Sequence, residues 1–106
     1  MTQIASVAHE SHERTWTFLT NHAHVLLCIA TDPAVRLRDV ASAVGITERA
    51  AQRIVTELVD DGYLERSRVG RRNTYRVNPS RPLRAPFDDD RRVEELIAAL
   101  SPLPTG

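Results

Sequence analysis

The chain of 106 residues contains no lysine: all fourteen of its basic residues are arginine, and fourteen acidic residues balance them to zero formal charge with the histidines neutral. Neutrality over the whole chain argues against nonspecific adhesion to nucleic acid or to an anionic membrane. A single cysteine, Cys28, excludes an internal disulfide and any multi-cysteine zinc site. No apolar run approaches the roughly 20 residues that span a bilayer. The first residues show no basic stretch followed by an apolar one, so no secretory signal is expected and a cytoplasmic location is. Internal repeats are absent. At this length there is room for one domain and little more, which excludes a large α/β enzyme and a membrane transporter. Catalytic signatures are missing too: no Ser-His-Asp or Cys-His arrangement at a recognisable spacing and no phosphate-cradling glycine loop. The acids Asp88, Asp89 and Asp90 form one run at a predicted helix start, where the helix dipole accounts for them. Neither enzymatic activity nor a cofactor is expected.

What is present becomes visible when charge is counted by segment. Residues 1–35 carry a net −2, residues 36–77 a net +3 and residues 78–106 a net −1. Within the middle segment, Tyr63–Val77 holds five arginines and one glutamate. A basic cluster on a neutral chain fits a binding face. It fits equally a solvated hairpin whose arginines only confer solubility.

The pattern of apolar residues is mainly helical. Residues 1–14 have weak periodicity and read as a mobile tail. Trp16 and Phe18 in the apolar run 16–19 are expected to be packing anchors. Thr20 is a good cap, and Ala23, Leu26, Leu27 and Ala30 recur with the spacing of one helix face. Asp32-Pro33 stops that helix, because the residue before a proline leaves the α region. A brief strand is expected over Val35–Leu37. Leu37, Val40, Ala41 and Val44 repeat the helical spacing, and Gly45 ends it. Thr47 caps a third helix with the stripe Ala51, Ile54, Val55 and Leu58, closed by Gly62. Two strand-like runs, Tyr63–Val69 and Asn73–Val77, flank Gly70-Arg71. A hairpin turn there pairs Val69 with Arg72, Ser67 with Thr74, Arg66 with Tyr75, Glu65 with Arg76 and Leu64 with Val77. Leu64, Tyr75 and Val77 then share one face. Residues 79–88 read as an extended proline-rich linker, and 89–101 as a C-terminal helix with the stripe Val93, Leu96, Ile97 and Leu100.

The order of helix, short helix, glycine-containing turn, helix and arginine-rich hairpin is that of a winged helix-turn-helix, a mainly α fold with a small β-hairpin (α+β), here placed over residues 15–78. The resemblance sharpens at Leu37, Val40, Ala41, Val44-Gly45-Ile46-Thr47, Ala50, Arg53-Ile54-Val55, Leu58 and Gly62-Tyr63-Leu64. This set resembles bacterial winged-helix transcription regulators of the MarR (multiple-antibiotic-resistance repressor) and ArsR (arsenical-resistance repressor) types. Such regulators commonly have Ser or Thr as the N-cap of the helix before the turn. Here that slot is Arg36, which weakens the cap by about 1 kcal/mol.

The resemblance implies double-stranded DNA as partner and a homodimer reading a pseudo-palindrome. With its stripe buried, the third helix turns Glu48, Arg49, Gln52, Arg53 and Thr56 outward. Arg49 and Arg53 are the expected main readers, since Arg matches guanine bidentately and Gln matches adenine. Thr47 offers a hydroxyl or N–H to phosphate. Arg68, Arg71 and Arg72 lie at or near the wing tip and suit a narrow minor groove or a phosphate, and Arg36 and Arg38 suit phosphate. The plain alternative for Arg53 is an i, i+4 ion pair with Glu57. The stripe Val93, Leu96, Ile97 and Leu100 is expected to build the dimer, with the linker projecting it away; folding back in cis is the alternative.

A winged helix that docks an acidic protein partner is the rival reading of the same arginine face. Metal binding is not expected: His22 and His24, two residues apart, point to different sides of a helix, and His9 and His12 fall in the tail. Cys28, between Leu27 and Ile29, reads as a small core residue. Nothing in the sequence specifies a small-molecule effector.

Overall fold

A computed structural model describes residues 16–84 and 90–100 of the chain. The expected tail 1–14, most of the linker's second half and Ser101 lie outside the described residues. The order is α1 (Asn21–Thr31), α2 (Leu37–Val44), α3 (Glu48–Asp60), β1 (Leu64–Val69), β2 (Arg72–Val77) and α4 (Val93–Leu100). The three helices α1, α2 and α3 pack on one another, β1 packs on α3, β2 on α1, and α4 on α1. This is the winged-helix fold with a two-stranded antiparallel wing. None of the described helices is long and apolar enough to cross a membrane.

Each of the first three helices begins or ends on a chemically legible residue. Thr20 accepts a hydrogen bond from the Ala23 N–H at 3.2 Å, and Thr47 accepts one from Ala50 at 3.0 Å. Each supplies a partner to a donor that a helix start otherwise leaves unpaired. Arg36, at the N-cap of α2, makes no side-chain cap bond. Gly45 closes α2 in the left-handed conformation at φ +88°, which glycine adopts without steric cost.

The core is drawn from every element: Val25, Leu26 and Ile29 from α1, Val40 and Ala41 from α2, Ala51, Ile54, Val55 and Leu58 from α3, then Tyr63, Leu64, Tyr75 and Val93. Each fully buried Val, Leu or Ile favours the fold by about 1.5–3 kcal/mol relative to exposure. The α3 stripe and the hairpin register are those the sequence predicts, pair for pair.

Four expectations are corrected. The buried face of α1 runs through Val25, Leu26 and Ile29, with Ala23, Leu27 and Ala30 only half-buried. This helix is apolar nearly all round, so its periodicity marks the face weakly. No strand forms at Val35–Leu37. Leu37 already belongs to α2, and one backbone bond, from Tyr75 N–H to the Pro33 carbonyl at 3.0 Å, joins this loop to the wing. Trp16 and Phe18 do not anchor the core: they are 65% and 91% exposed and meet edge to face at 5.0 Å. Finally, the described part of the linker turns back. The Leu83 N–H donates to the Arg91 carbonyl and the Val93 N–H to the Arg81 carbonyl, both at 2.9 Å, forming a short antiparallel bridge between Pro82 and Arg92. The last helix starts at Val93, because these backbone bonds hold Arg91 and Arg92 outside it.

Candidate nucleic-acid interface

The interface is built from α2, its turn and α3. After Gly45, Ile46 N–H bonds the Ala41 carbonyl at 3.0 Å, which fixes where Thr47 begins the next helix. Burial of Ala51, Ile54, Val55 and Leu58 then fixes the rotation of α3 about its axis. Glu48, Arg49, Gln52, Arg53 and Thr56 are consequently all exposed. Arg49, Gln52, Arg53 and Thr56 follow helical spacing along one side. Their amide, hydroxyl and guanidinium groups are the donor and acceptor types that match base edges in a major groove about 12 Å wide.

Arg53 has a local partner. Its Nη1 lies 3.7 Å from Glu57 Oε2, the i, i+4 pair anticipated from spacing. The Arg49 side chain has no hydrogen bond or ion pair among the described residues. Glu57 also meets His22 of α1, whose Nε2 lies 2.6 Å from Oε1. The carboxyl of Glu57 is held below the ordinary carboxylate range, first by the hydrogen bond from His22 and then by the charge of Arg53.

The wing is tied to the rest of the fold by its second strand. Arg72 donates a hydrogen bond to the Ala34 carbonyl, beside the Tyr75–Pro33 backbone bond. Across the hairpin, Arg76 Nη2 meets Glu65 Oε1 at 2.6 Å. Arg68 and Arg71 are exposed, and Arg71 has no partner among the described residues. A cleft of about 410 Å³ brings Arg36, Arg71 and Arg72 together with Val35, Leu37, Asn73 and Tyr75. Arg38 is exposed on the first turn of α2.

The residues expected to build a dimer divide between two environments. Val93 is 1% exposed and sits in the chain's own core, with Ile97 packed against it. Leu96 faces a cleft with Tyr63, Leu83 and Arg84, whereas Leu100 is 46% exposed beside Trp16 and Phe18.

Sequence reasoning did not find the cluster at the hairpin base. The Tyr63 hydroxyl donates to the Pro82 carbonyl at 2.6 Å, Arg81 and Arg84 lie over its ring at 5.3 and 5.6 Å, and Arg84 pairs with Asp61 at 3.4 Å. Nor did it find the His22–Glu57 bond, whose members are 35 residues apart and carry no local signal. Cys28 is half-buried against the core, and burial pushes its thiol up, away from the reactive thiolate. No group of three or more metal-ligating side chains exists among the described residues.

Residues 20–69 match the MarR family model. The matched segment runs from the cap of α1 to the last residue of β1, so it contains the whole of α2, the turn and α3. Among solved structures, the PcaV transcriptional regulator from Streptomyces coelicolor, crystallised with its natural ligand, is similar at a TM-score of 0.50 and 23% identity over 91% of this chain and 71% of PcaV. The zinc-dependent MarR family transcriptional regulator AdcR in its Zn(II)-bound state is similar at a TM-score of 0.45 and 16% identity, over 71% of this chain. The chain spans 60% of the length of AdcR. No curated protein matches the chain.

Proposed function

We propose that this protein is a sequence-specific double-stranded DNA-binding transcription regulator, a dimeric repressor that reads a pseudo-palindrome. The observation that carries the reading is the exposed side of α3: Arg49, Gln52, Arg53 and Thr56 stand clear of the core, on a helix whose start is set by Gly45 and the Thr47 cap. The MarR match over the same segment supports it. In this reading α3 enters the major groove with Arg49 and Arg53 at base edges and Gln52 beside them. Glu48 and Thr56 flank them, and Thr47 approaches the backbone. The wing follows with Arg68, Arg71 and Arg72, and Arg36 and Arg38 contact phosphate from α2. A guanidinium has five donors, so the bond from Arg72 to Ala34 leaves others for DNA. Leu96 and Leu100 supply the outward part of a dimer contact, which sets two α3 helices on half-sites about one helical turn apart.

Selection of bound duplexes from a random pool tests the reading, and a two-fold symmetric motif is expected. On the selected duplex, Arg49→Ala and Arg53→Ala each weaken binding by about 1–3 kcal/mol and relax sequence preference. Arg71→Ala and Arg72→Ala lower the salt slope by about one each without changing the preferred sequence. Enrichment of no sequence, with capture of an acidic protein by the same arginines, favours the protein-docking alternative.

A further inference from the structure

His22 and Arg53 meet the two oxygens of a single carboxylate. The His22 bond to Glu57 Oε1 is short, at 2.6 Å, whereas Arg53 Nη1 lies 3.7 Å from Oε2, an ion pair beyond hydrogen-bond distance. An ionised carboxylate only accepts, so Nε2 of His22 carries the proton in this contact. Elsewhere α1 and α3 meet through apolar core residues. The Glu57 carboxylate is thus a polar connection from α1 to the side of α3 that bears Arg53.

We propose that Glu57 and His22 are positioning residues for Arg53, with the charge on His22 setting how firmly Glu57 holds the guanidinium back from DNA. The inference rests on the DNA-binding reading above. A neutral His22 gives Glu57 a hydrogen bond but no charge. The negative charge of Glu57 then acts on Arg53 alone, turning it along the helix and opposing an approaching phosphate. A protonated His22 neutralises Glu57 at close range, and Arg53 is released to reach a base edge. Histidine is the side chain that ordinarily changes charge between about pH 5 and 8, so DNA affinity rises as pH falls through that window.

The surroundings leave this trio the active charges. The cleft that His22 and Glu57 share, of about 550 Å³, also holds Asp61, Arg84 and Tyr63. Asp61 and Arg84 pair with each other, and the Tyr63 hydroxyl is bound to the Pro82 carbonyl. Helix α4 presents only the apolar Val93 and Leu96 to the cleft, and Thr20 is engaged as a cap. Asp60 is the other exposed acid within a turn of Glu57 on α3. His24 lies in a different groove, beside Trp16 and Leu100.

The test is a fluorescence anisotropy titration of the full chain on the duplex it selects, at constant ionic strength across that pH window. Wild type is expected to tighten roughly two- to fivefold from the alkaline to the acid end, the size of one exposed charge pair. His22→Gln holds the weaker affinity throughout and Glu57→Gln the tighter one. In Arg53→Ala the step disappears. A step of wild-type size in His22→Gln, Glu57→Gln or Arg53→Ala overturns the inference, as does a flat wild-type profile on a tightly bound duplex, which leaves DNA binding itself standing. Failure of wild type to bind any duplex at any pH overturns both readings. His22 and Glu57 are partly exposed, so circular dichroism melts of their variants should match wild type and assign any change to binding.

Discussion

Thr47 has two duties. Its hydroxyl oxygen accepts the Ala50 N–H that α3 cannot pair internally, and its backbone stands where a DNA phosphate meets the helix in the proposed complex. Thr47→Ala is expected to lower unfolding stability by about 1 kcal/mol, read by urea titration. Thr47→Asn, which keeps an acceptor, should restore most of the loss. Gly45, two residues earlier, is constrained differently. A Cβ there would meet nothing within 4 Å, so the φ of +88° is what disfavours other residues. Residues of this kind are legible in the sequence because cap, glycine and stripe are local: Thr20, Gly45, Thr47 and the four buried positions of α3 all follow from their near neighbours in the chain. The partners of His22 were not, because its bond to Glu57 is settled by how two helices pack. Trp16 and Phe18 show the converse. Large aromatic side chains suggest burial, yet here the neighbouring elements do not cover them.

Among the elements, α4 departs most from its sequence pattern. Its stripe was legible, but not what the stripe packs on, and the turn-back at Pro82 gives Val93 to the chain's own core. Proline punctuation predicted extended chain without specifying its direction. The start of α4 is held by Glu95, which takes Arg91 Nη1 at 2.8 Å and the Arg92 N–H at 3.1 Å. These bonds hold the Glu95 carboxyl below the usual carboxylate range, with the Arg91 bond contributing most. A depressed carboxylate stabilises the fold above its unfolded pKa, about 4.3, and loses that contribution as pH falls through its folded value. Melting temperatures of wild type and Glu95→Gln should therefore differ near neutral pH and converge in acid. A gap that is constant with pH would assign the effect to packing instead. The wing, by contrast, was legible down to its register, because Gly70 and alternation along both strands leave one pairing that sets Leu64 and Val77 together against the core.

For the molecule as a whole, net neutrality conceals a division of labour: a middle segment rich in arginine carries the proposed DNA face at net +3, and the two flanks, at net −2 and −1, offset it. The apolar surface is divided too. Trp16, Phe18, Leu19 and Leu100 border one groove of about 540 Å³, on the side where the dimer contact is proposed. Leu100→Glu should shift sedimentation from dimer to monomer while leaving the melting temperature within the small range of a surface change. Monomeric wild type would remove the two-fold from the proposed reading.

The clasp between residues 81–83 and 91–93 has a topological consequence. Leu83 and Arg91 are joined by a backbone bond, so the two ends of the segment between them are held together. Whatever is placed between them, the ends to be matched stay close together, and closing a longer loop costs only about 0.6 kcal/mol per doubling. The clasp is thus a natural splice point, where length and sequence can change by insertion while the helix that completes the core remains seated.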